Sequence, residues 1–364
     1  MKPSKASVFR PDVPSGRRIL AVSDVHGNLE YFKGLLDKVC FSRDDILILL
    51  GDIMEKGPES LTLLRYIMDL SRHFTVWPLE GNCDGWHKIF TRRDDEMAVH
   101  VREYMNRRPE ALLSQMCAEV GFPVTPSMDT AAMRSILAEN FRDEFDFLAS
   151  MPTIIDTPNY TFVHGGLPEG DIDDLAAFAC MKNDNFMNQG RRFDKWCIVG
   201  HWPVMLYGDN ITCANPIIDR ESRIISIDGG CVLKDDGQLN ALVIPFDGSE
   251  DFSYIAYDSL PKRTVITPQS RSDRSYYIRW GDNRVRVIER GEEFSLCEHV
   301  RTGYQMYILT KYLYGDSVYC KCNDCTDYIL PLREGDTVSV TEETSRGFLV
   351  KHNGVSGWYF GKLA

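Results

Sequence analysis

Apolar positions before residue 260 follow two alternating periods. Continuous apolar runs, which are typical of buried strands, lie within residues 18–24, 45–52 and 75–82, and stretches with apolar residues at helical spacing separate them. One face of the first helical stretch carries Leu29, Phe32, Leu35, Leu36 and Val39. This β-α-β order predicts an α/β fold, with right-handed crossovers and a sheet that helices cover.

The pattern changes twice along the chain. Residues 86–150 carry helical patterns without strand runs, so we expect a helical insertion there. After about residue 260 the chain shows short strands separated by turns, which predicts a C-terminal all-β accessory barrel over residues 268–364. Residues 1–16 lack periodicity and are expected to form a loose N-terminal arm, so that residues 17–262 form the main domain.

Composition narrows the classes of protein that are compatible with the chain. Its 364 residues suit one large and one smaller domain, and 43% hydrophobic with 26% charged residues exclude general disorder. The net charge of −12 argues against a nucleic-acid duplex or an anionic membrane as a partner. The N-terminus lacks the apolar core of a signal peptide, so a cytoplasmic location is expected, and the 11 cysteines are expected to be reduced.

Five short polar motifs each follow a strand-like run. They are Ser23-Asp24-Val25-His26-Gly27, Gly51-Asp52, Gly81-Asn82-Cys83-Asp84, His164-Gly165-Gly166 and Gly200-His201. Loops at the carboxyl ends of strands in α/β folds meet in one crevice, so these side chains are expected to converge. Any one motif alone is more typical of a turn or a helix cap, whereas the ordered set favours a site.

The converging side chains have the chemistry of a metal centre. Mixed histidine, carboxylate and amide ligands suit borderline divalent ions such as Mn, Fe, Zn or Co. A carboxylate shared by two ions holds them about 3.5–4 Å apart, which is the geometry of in-line phosphoryl displacement.

The ordered motifs resemble those of the calcineurin-like metallophosphoesterases over roughly residues 18–258. The segment Ile227-Asp228-Gly229-Gly230-Cys231-Val232 is similar to the closing segment of the serine/threonine protein phosphatase branch. Gly200-His201-Trp202-Pro203 is similar to a motif of bacterial protein phosphatases and diadenosine tetraphosphatases. This resemblance implies a four-layer α/β/β/α sandwich and two divalent ions, with Mn as the expected metal and Fe, Zn, Co or Ni as alternatives.

The resemblance also implies a ligand set. Asp24, His26 and Asp52 would hold the first ion, Asp52 would bridge to the second, and the second would be completed by Asn82, His164 and His201.

Two departures from the family pattern concern the substrate. Lys56 stands where the protein phosphatases have arginine, and it is expected to neutralise a phosphate oxygen. Asn82 is also expected to contact the substrate. Cys83 replaces the histidine that acts in the family as proton donor, and Glu55 takes the place of the aspartate that orients it. The Gly-Asn-Cys-Asp variant is similar to that of a set of small phosphodiesterases.

The functional prediction is therefore a metal-dependent phosphoesterase with a phosphorylated substrate. Phosphomonoester hydrolysis of the protein-phosphatase type, on a phosphoprotein, is favoured by the closing segment and by Pro203. A phosphodiesterase or dinucleoside polyphosphate hydrolase acting on a nucleotide is the alternative, and a non-catalytic binding scaffold with the same fold is the second alternative.

The C-terminal region resembles bacterial SH3-like domains over residues 328–338 and 354–360. If exposed, its aromatic residues would offer a surface for a protein, peptide or glycan partner, with packing against the catalytic domain as the alternative; they are Tyr312, Tyr319, Trp358 and Tyr359. A zinc site is a further possibility for the cluster Cys320, Cys322 and Cys325, with Cys297 or His299 as the fourth ligand.

Overall fold

A computed structural model describes residues 4–92 and 94–364. In the first 258 residues the strands are β1 (Val8–Phe9), β2 (Arg18–Val22), β3 (Asp45–Leu49), β4 (Thr75–Pro78), β5 (Ile154–Asp156), β6 (Tyr160–Val163), β7 (Trp196–Val199), β8 (Ile217–Asp219), β9 (Ile224–Ser226), β10 (Leu239–Ile244) and β11 (Ser253–Tyr257). The helices are α1 (Leu29–Lys38), α2 (Ser60–His73), α3 (Asp95–Arg107), α4 (Leu112–Glu119), α5 (Thr130–Asn140), α6 (Arg142–Ser150) and α7 (Ala177–Met181).

The chain divides into two compact units. The first contains residues 1–203, 216–233 and 237–258, and the second contains residues 204–215, 234–236 and 259–364. The second unit thus includes two short segments that the sequence analysis placed within the continuous main domain of residues 17–262.

Two sheets form the centre of the first unit. One has the strand order β11-β10-β2-β3-β4, with β2, β3 and β4 parallel, and the other has the order β1-β5-β6-β7-β9-β8. The two sheets pack face to face, because Ile19 and Ile46 of one share an apolar cluster with Phe162 and Ile198 of the other. These residues are fully buried, and the fold is of the mixed α/β class.

Helices cover the outer face of the first sheet. The side chain of Asn28 caps α1 by accepting a hydrogen bond from the backbone N–H of Tyr31, and Phe32 and Leu35 of α1 are fully buried. The apolar cluster of this face also contains Met105 of α3 and Leu137 of α5. Residues 86–92 and 94–150, in which the structure has helices and turns but no strand, therefore extend this core.

The outer face of the second sheet is covered by α7, and Ala6 lies in the same apolar cluster. The backbone of Ala6 donates to Leu175, and β1 pairs with β5 in parallel. Residues 8 and 9 are therefore an edge strand, which corrects the expectation of a loose arm over residues 1–16; residues 1–3 lie outside the described part. The strand was missed because a two-residue pairing leaves no periodicity in the sequence.

The second unit is built of short strands, as its pattern predicts. They are β12 (Lys262–Thr264), β13 (Tyr277–Ile278), β14 (Arg284–Glu289), β15 (Phe294–His299), β16 (Gln305–Leu309), β17 (Leu313–Tyr314), β18 (Tyr319–Cys322), β19 (Cys325–Thr326), β20 (Thr337–Thr344), β21 (Gly347–His352) and β22 (Val355–Tyr359). Its larger sheets have the orders β16-β15-β14-β18-β17 and β12-β20-β21-β22, and two main apolar clusters lie within it.

The cysteines of the second unit do not form the zinc site considered in the sequence analysis. Cys297, Cys322 and Cys325 belong to an apolar cluster. Within residues 4–92 and 94–364, no group of three candidate metal ligands includes any of these three cysteines. All 11 cysteines are free thiols.

The aromatic residues proposed for a docking surface are mostly buried. Tyr359 and Trp358 are 0% and 8% exposed, so these side chains pack in the core of the unit. Tyr312 is also buried, whereas Tyr319 is exposed.

Candidate metal centre

The five motifs lie in loops that follow strands of the first unit. Asp24 and His26 follow β2, Asp52 follows β3 and Asn82 follows β4, which are parallel neighbours in one sheet. In the other sheet His164 and His201 follow the parallel strands β6 and β7. In such an arrangement the loops at the carboxyl ends of neighbouring parallel strands lie close together, as the sequence prediction assumed.

Several site residues have a left-handed backbone, which is costly for residues other than glycine. The φ angles of Asp24, His26, Asp52 and His201 are 55°, 50°, 48° and 66°. Such strain is retained where the surrounding structure enforces it, as at ligand-binding sites. Gly51, with φ of 84°, permits the β3 and β4 loops to meet, because a Cβ atom there would lie 2.5 Å from the backbone nitrogen of Gly81.

Asp52 lies at the centre of the site. Its Oδ1 is 3.3 Å from Nε2 of His164, and its Oδ2 is 3.9 Å from Nε2 of His26. Two groups of candidate ligands form around it, each with ligand atoms within 4.8 Å of one another, and both include Asp52: one with His26 and Cys83, the other with His164 and His201. A carboxylate common to two groups is what a bridged pair of ions requires.

Asp24 connects the two sheets at this point. Its Oδ2 accepts hydrogen bonds from the hydroxyl of Ser23 and, at 2.8 Å, from the backbone N–H of His201. Its Oδ1 lies 3.7 Å from Nε2 of His26. The loops after β2 and β7 are thereby held together around one buried carboxylate.

The residues present fit divalent ions. Among the buried polar atoms without a hydrogen-bond partner in the described ranges, three belong to the candidate ligands: Asp24 Oδ1, Asn82 Oδ1 and His164 Nε2. Buried polar atoms are almost always paired, so such atoms aimed into one site indicate a missing ligand. Oxygen and imidazole nitrogen together are the donor set preferred by Mn, Fe, Co and Zn.

The histidines present lone pairs in a fixed direction. Nδ1 of His164 donates to the carbonyl of Leu50 at 2.7 Å, and Nδ1 of His26 lies 3.4 Å from the carbonyl of Met54. When either ring is neutral, Nε2 therefore carries the lone pair, which is the usual arrangement for a metal-ligating imidazole. Nε2 of His26 also lies 3.2 Å from Nζ of Lys56, which is positioned to donate to that lone pair.

The three site histidines differ in protonation when no metal is bound. Burial lowers the pKa of His26 to about 3 and that of His201 to about 4, with the nearby charges of Lys56 and His164 acting in the same direction, so both rings are neutral near pH 7. Burial opposes the charge of His164, yet the carboxylates of Asp52 and Asp24 raise its pKa to about 9. A single imidazolium thus compensates buried carboxylates in the metal-free protein.

Cys83 is held by Asp52. The backbone N–H of Cys83 donates to Oδ1 of Asp52 at 2.7 Å, and its thiol donates to Oδ2 at 3.0 Å. Burial and the negative charge of Asp52 raise the pKa of the thiol. The neighbouring Asp84 accepts hydrogen bonds from the backbone of Ile53, Met54 and Gly81, so it shapes the loops.

Glu55 faces the helical segment instead of Cys83. Its carboxylate accepts hydrogen bonds from the indole of Trp86 at 2.7 Å, the hydroxyl of Tyr104 at 2.6 Å and the backbone of Leu112 at 2.9 Å. The expectation that Glu55 orients the group at position 83 therefore has no counterpart in these contacts. Glu55 anchors the helices to the loop that follows Asp52.

We expect Glu55→Ala to loosen α4. Removing the carboxylate leaves one buried and two half-buried donors unpaired, which costs about 3 kcal/mol locally. Amide hydrogen exchange of residues 112–119 should accelerate about 10²-fold, since each factor of ten corresponds to about 1.4 kcal/mol. Glu55→Gln keeps one acceptor oxygen and is the matched control, with a smaller acceleration. Unchanged exchange in Glu55→Ala would refute the anchoring role.

The structure adds Asp228 to the site. This residue follows β9, is fully buried, and has one oxygen bonded to the backbone of Gly230 at 2.8 Å and one without a partner in the described chain. Burial and the charge of Asp24 raise its pKa. The strand-like run before Asp228 was the available signal, but the sequence analysis used it only for the family resemblance.

Three basic residues that precede His201 in the sequence form ion pairs with acidic residues outside the candidate ligand set. Lys195 pairs with Asp156, Arg192 with Glu221, and Arg191 lies 3.6 Å from Glu169. Lys182, in contrast, lies 3.3 Å from Nε2 of His201.

The strand-end loops of this mixed α/β fold bring together histidines, aspartates and an asparagine. This arrangement is typical of a metal-dependent phosphoesterase. The profile of the calcineurin-like phosphoesterase family matches residues 17–228, and the chain belongs to that family.

Curated relatives match part of the chain. It is 29% identical over 199 residues to the symmetrical bis(5'-nucleosyl)-tetraphosphatase of Nitrosospira multiformis, covering 52% of this chain and 60% of that protein. It is 43% identical over 75 residues to the protein of the same name from Pseudomonas putida, covering 19% and 25%. The matches span less than two thirds of the length of these relatives.

Similar solved structures include a metallophosphoesterase from Sphaerobacter thermophilus, with 20% identity and a TM-score of 0.37 over 67% of this chain and 89% of that chain. A serine/threonine phosphatase from Saccharomyces cerevisiae shows 10% identity and a TM-score of 0.44 over 71% and 85%. Both TM-scores are low, so the family assignment rests on the sequence match.

Among the described residues, no helix is long and apolar enough to cross a membrane.

Proposed function

We propose that this protein hydrolyses phosphoanhydrides of the dinucleoside polyphosphate class, using a pair of divalent ions. The ligands would be those implied by the family resemblance: Asp24, His26, Asp52, Asn82, His164 and His201. Such ions supply Lewis acidity and lower the pKa of water at the site. Water adds to one phosphorus, the P–O bond to the bridging oxygen breaks, and a nucleoside phosphate leaves.

The observation that carries the choice of substrate is the contact of Cys83 with Asp52. The only proton of the thiol is directed at Oδ2 of Asp52, 3.0 Å away, so it is not directed at a leaving oxygen. A nucleotide leaves as a phosphate anion, whose last proton has a pKa of about 6, and it needs no proton donor. An alkoxide from phosphoserine or phosphothreonine is far more basic and does need one.

Lys56 supports an anionic substrate at the same place. Its ammonium lies 4.0 Å from Oδ2 of Asp52, and its side chain is about one quarter exposed, so it reaches the site from the solvent side. A point charge at that position neutralises a phosphate oxygen without the two-pronged geometry of arginine. The relatives described above are named as symmetrical tetraphosphatases, which agrees with this substrate class.

Phosphomonoester hydrolysis of the protein-phosphatase type is the competing proposal. Its support is the sequence similarity around Asp228 and Pro203, and its difficulty is the missing imidazole at position 83. The non-catalytic scaffold is set aside because the chain belongs to a family of hydrolases. We further propose Mn as the working metal, a four-layer catalytic unit and an SH3-like second unit.

Initial rates separate the two substrate classes. With Mn present, kcat/KM for diadenosine tetraphosphate should exceed that for a phosphoserine peptide by about 10²-fold or more, the usual contribution of a general acid. Symmetrical cleavage should release ADP as the only nucleotide, measured by ion-exchange chromatography. Faster turnover of the phosphopeptide would overturn the proposal in favour of the phosphatase reading.

A further inference from the structure

His201 differs from the other two site histidines in the group that holds its ring. His164 and His26 face backbone carbonyls through Nδ1, which no substitution removes. In His201 it is Nε2 that is held, and its partner at 2.7 Å is Oδ1 of Asp184. Asp184 is not one of the candidate ligands, unlike Asp52, whose Oδ1 lies 3.3 Å from Nε2 of His164.

The direction of this hydrogen bond determines which nitrogen is free. An ionised carboxylate only accepts hydrogen bonds, so Nε2 of His201 must carry the proton. In a neutral imidazole the lone pair then lies on Nδ1, and His201 belongs to a candidate ligand group with Asp52 and His164.

Asp184 is brought to His201 by the Gly-Gly pair of the fourth motif. The backbone N–H groups of Gly165 and Gly166 both donate to the carbonyl of Cys180, at 2.8 and 3.1 Å. A Cβ atom on Gly165 would lie 2.6 Å from the carbonyl oxygen of Met181, so glycine is required for the segment after α7 to approach. This close approach fixes the segment that carries Asp184 beside the residue that follows His164.

Two further contacts hold Asp184, one at its carboxylate and one at its backbone carbonyl. Nζ of Lys182 donates to Oδ1 of Asp184 at 2.8 Å, and the side chain of Gln189 donates to the carbonyl of Asp184 at 3.1 Å. Lys182 and Asp184 are about two fifths exposed, whereas His201 is 6% exposed. Lys182 and Asp184 therefore lie between the solvent and the almost buried imidazole of His201.

We propose that Asp184 is a positioning residue that holds His201 in the tautomer with Nδ1 free, and thereby sets the affinity of the second divalent ion. The inference rests on the metal centre of the proposed function and is independent of the choice of substrate. Carboxylates that support a metal-ligating histidine contribute typically about 10–100-fold to metal affinity.

The tautomer is measured without metal. Two-bond ¹H–¹⁵N spectra of the ¹⁵N-histidine-labelled, metal-free protein should show His201 protonated at Nε2, with its signals assigned by comparison with His201→Asn. Asp184→Ala should lose this single tautomer, and Asp184→Asn, whose amide oxygen still accepts, should retain it. Protonation of His201 at Nδ1 in the unsubstituted protein would overturn the inference.

Metal affinity is the second readout. Calorimetric titration of the metal-free protein with Mn should show one of two sites weakened about 10–100-fold in Asp184→Ala, and Asp184→Asn should recover most of the loss. Gln189→Ala is the matched control, because it loosens the same segment without touching His201, and it should titrate like the unsubstituted protein. Equal weakening in Gln189→Ala, or unchanged binding in Asp184→Ala, would contradict a positioning role.

These outcomes are distinct from a failure of the proposed function. If diadenosine tetraphosphate is not hydrolysed while Asp184 still controls the tautomer and the second site, the substrate proposal fails and the positioning role stands. If the unsubstituted protein binds fewer than two ions, both fail.

Discussion

Asp52→Asn is expected to remove most bound metal and to reduce turnover by more than about 10³-fold, well beyond the roughly 10–100-fold that follows loss of a supporting group. Asp52 belongs to both candidate ligand groups, so its replacement weakens both ions at once. Asparagine preserves the size of the side chain but removes the negative charge that two cations share.

Metal content after gel filtration and the rate on the best substrate test this prediction together. Asp156→Asn is a suitable control, because Asp156 lies in the same unit but pairs with Lys195 and Arg10 away from the site. Circular dichroism should be the same for both variants. An Asp52→Asn protein that retains two ions and near-normal turnover would refute the central position of Asp52.

The site histidines and carboxylates were predictable because their placement follows from strand order alone. Asp24, Asp52 and Asn82 end three parallel strands that are neighbours in one sheet, and loops at that edge must meet. Helices such as α1 and α2 were predictable for a similar reason, since their buried faces repeat at helical spacing.

The contacts of Glu55 and Asp184 were not predictable from local pattern. The donors to Glu55 are Trp86, Tyr104 and Leu112, which lie far along the chain in the helical segment. The family resemblance had instead suggested position 83 as the neighbour of Glu55. Asp184 ends no strand and reaches His201 only because Gly165 admits the segment after α7. Residues 204–215 likewise belong to the second unit through long-range contacts that periodicity cannot show.

The largest effect of Cys83 should be on how the rate depends on the leaving group. For a series of phosphate esters from nitrophenyl through phenyl to alkyl, rates should fall by about 10²–10⁴-fold, because no group protonates the increasingly basic leaving oxygen. Cys83→Ala should leave this dependence as steep, since the thiol donates to Asp52 and not to the substrate.

Cys83→His should flatten the dependence by raising the rates of the alkyl esters selectively. We expect a gain of about tenfold, below the usual contribution of about 10²–10⁴-fold from a general acid, because an imidazole at position 83 lacks a free carboxylate to orient it. Both oxygens of Glu55 already accept from Trp86, Tyr104 and Leu112, and those of Asp84 accept from the loop backbone. A steeper dependence in Cys83→Ala would show instead that the thiol supplies the proton, and an equal gain for all esters in Cys83→His would locate the proton donor elsewhere.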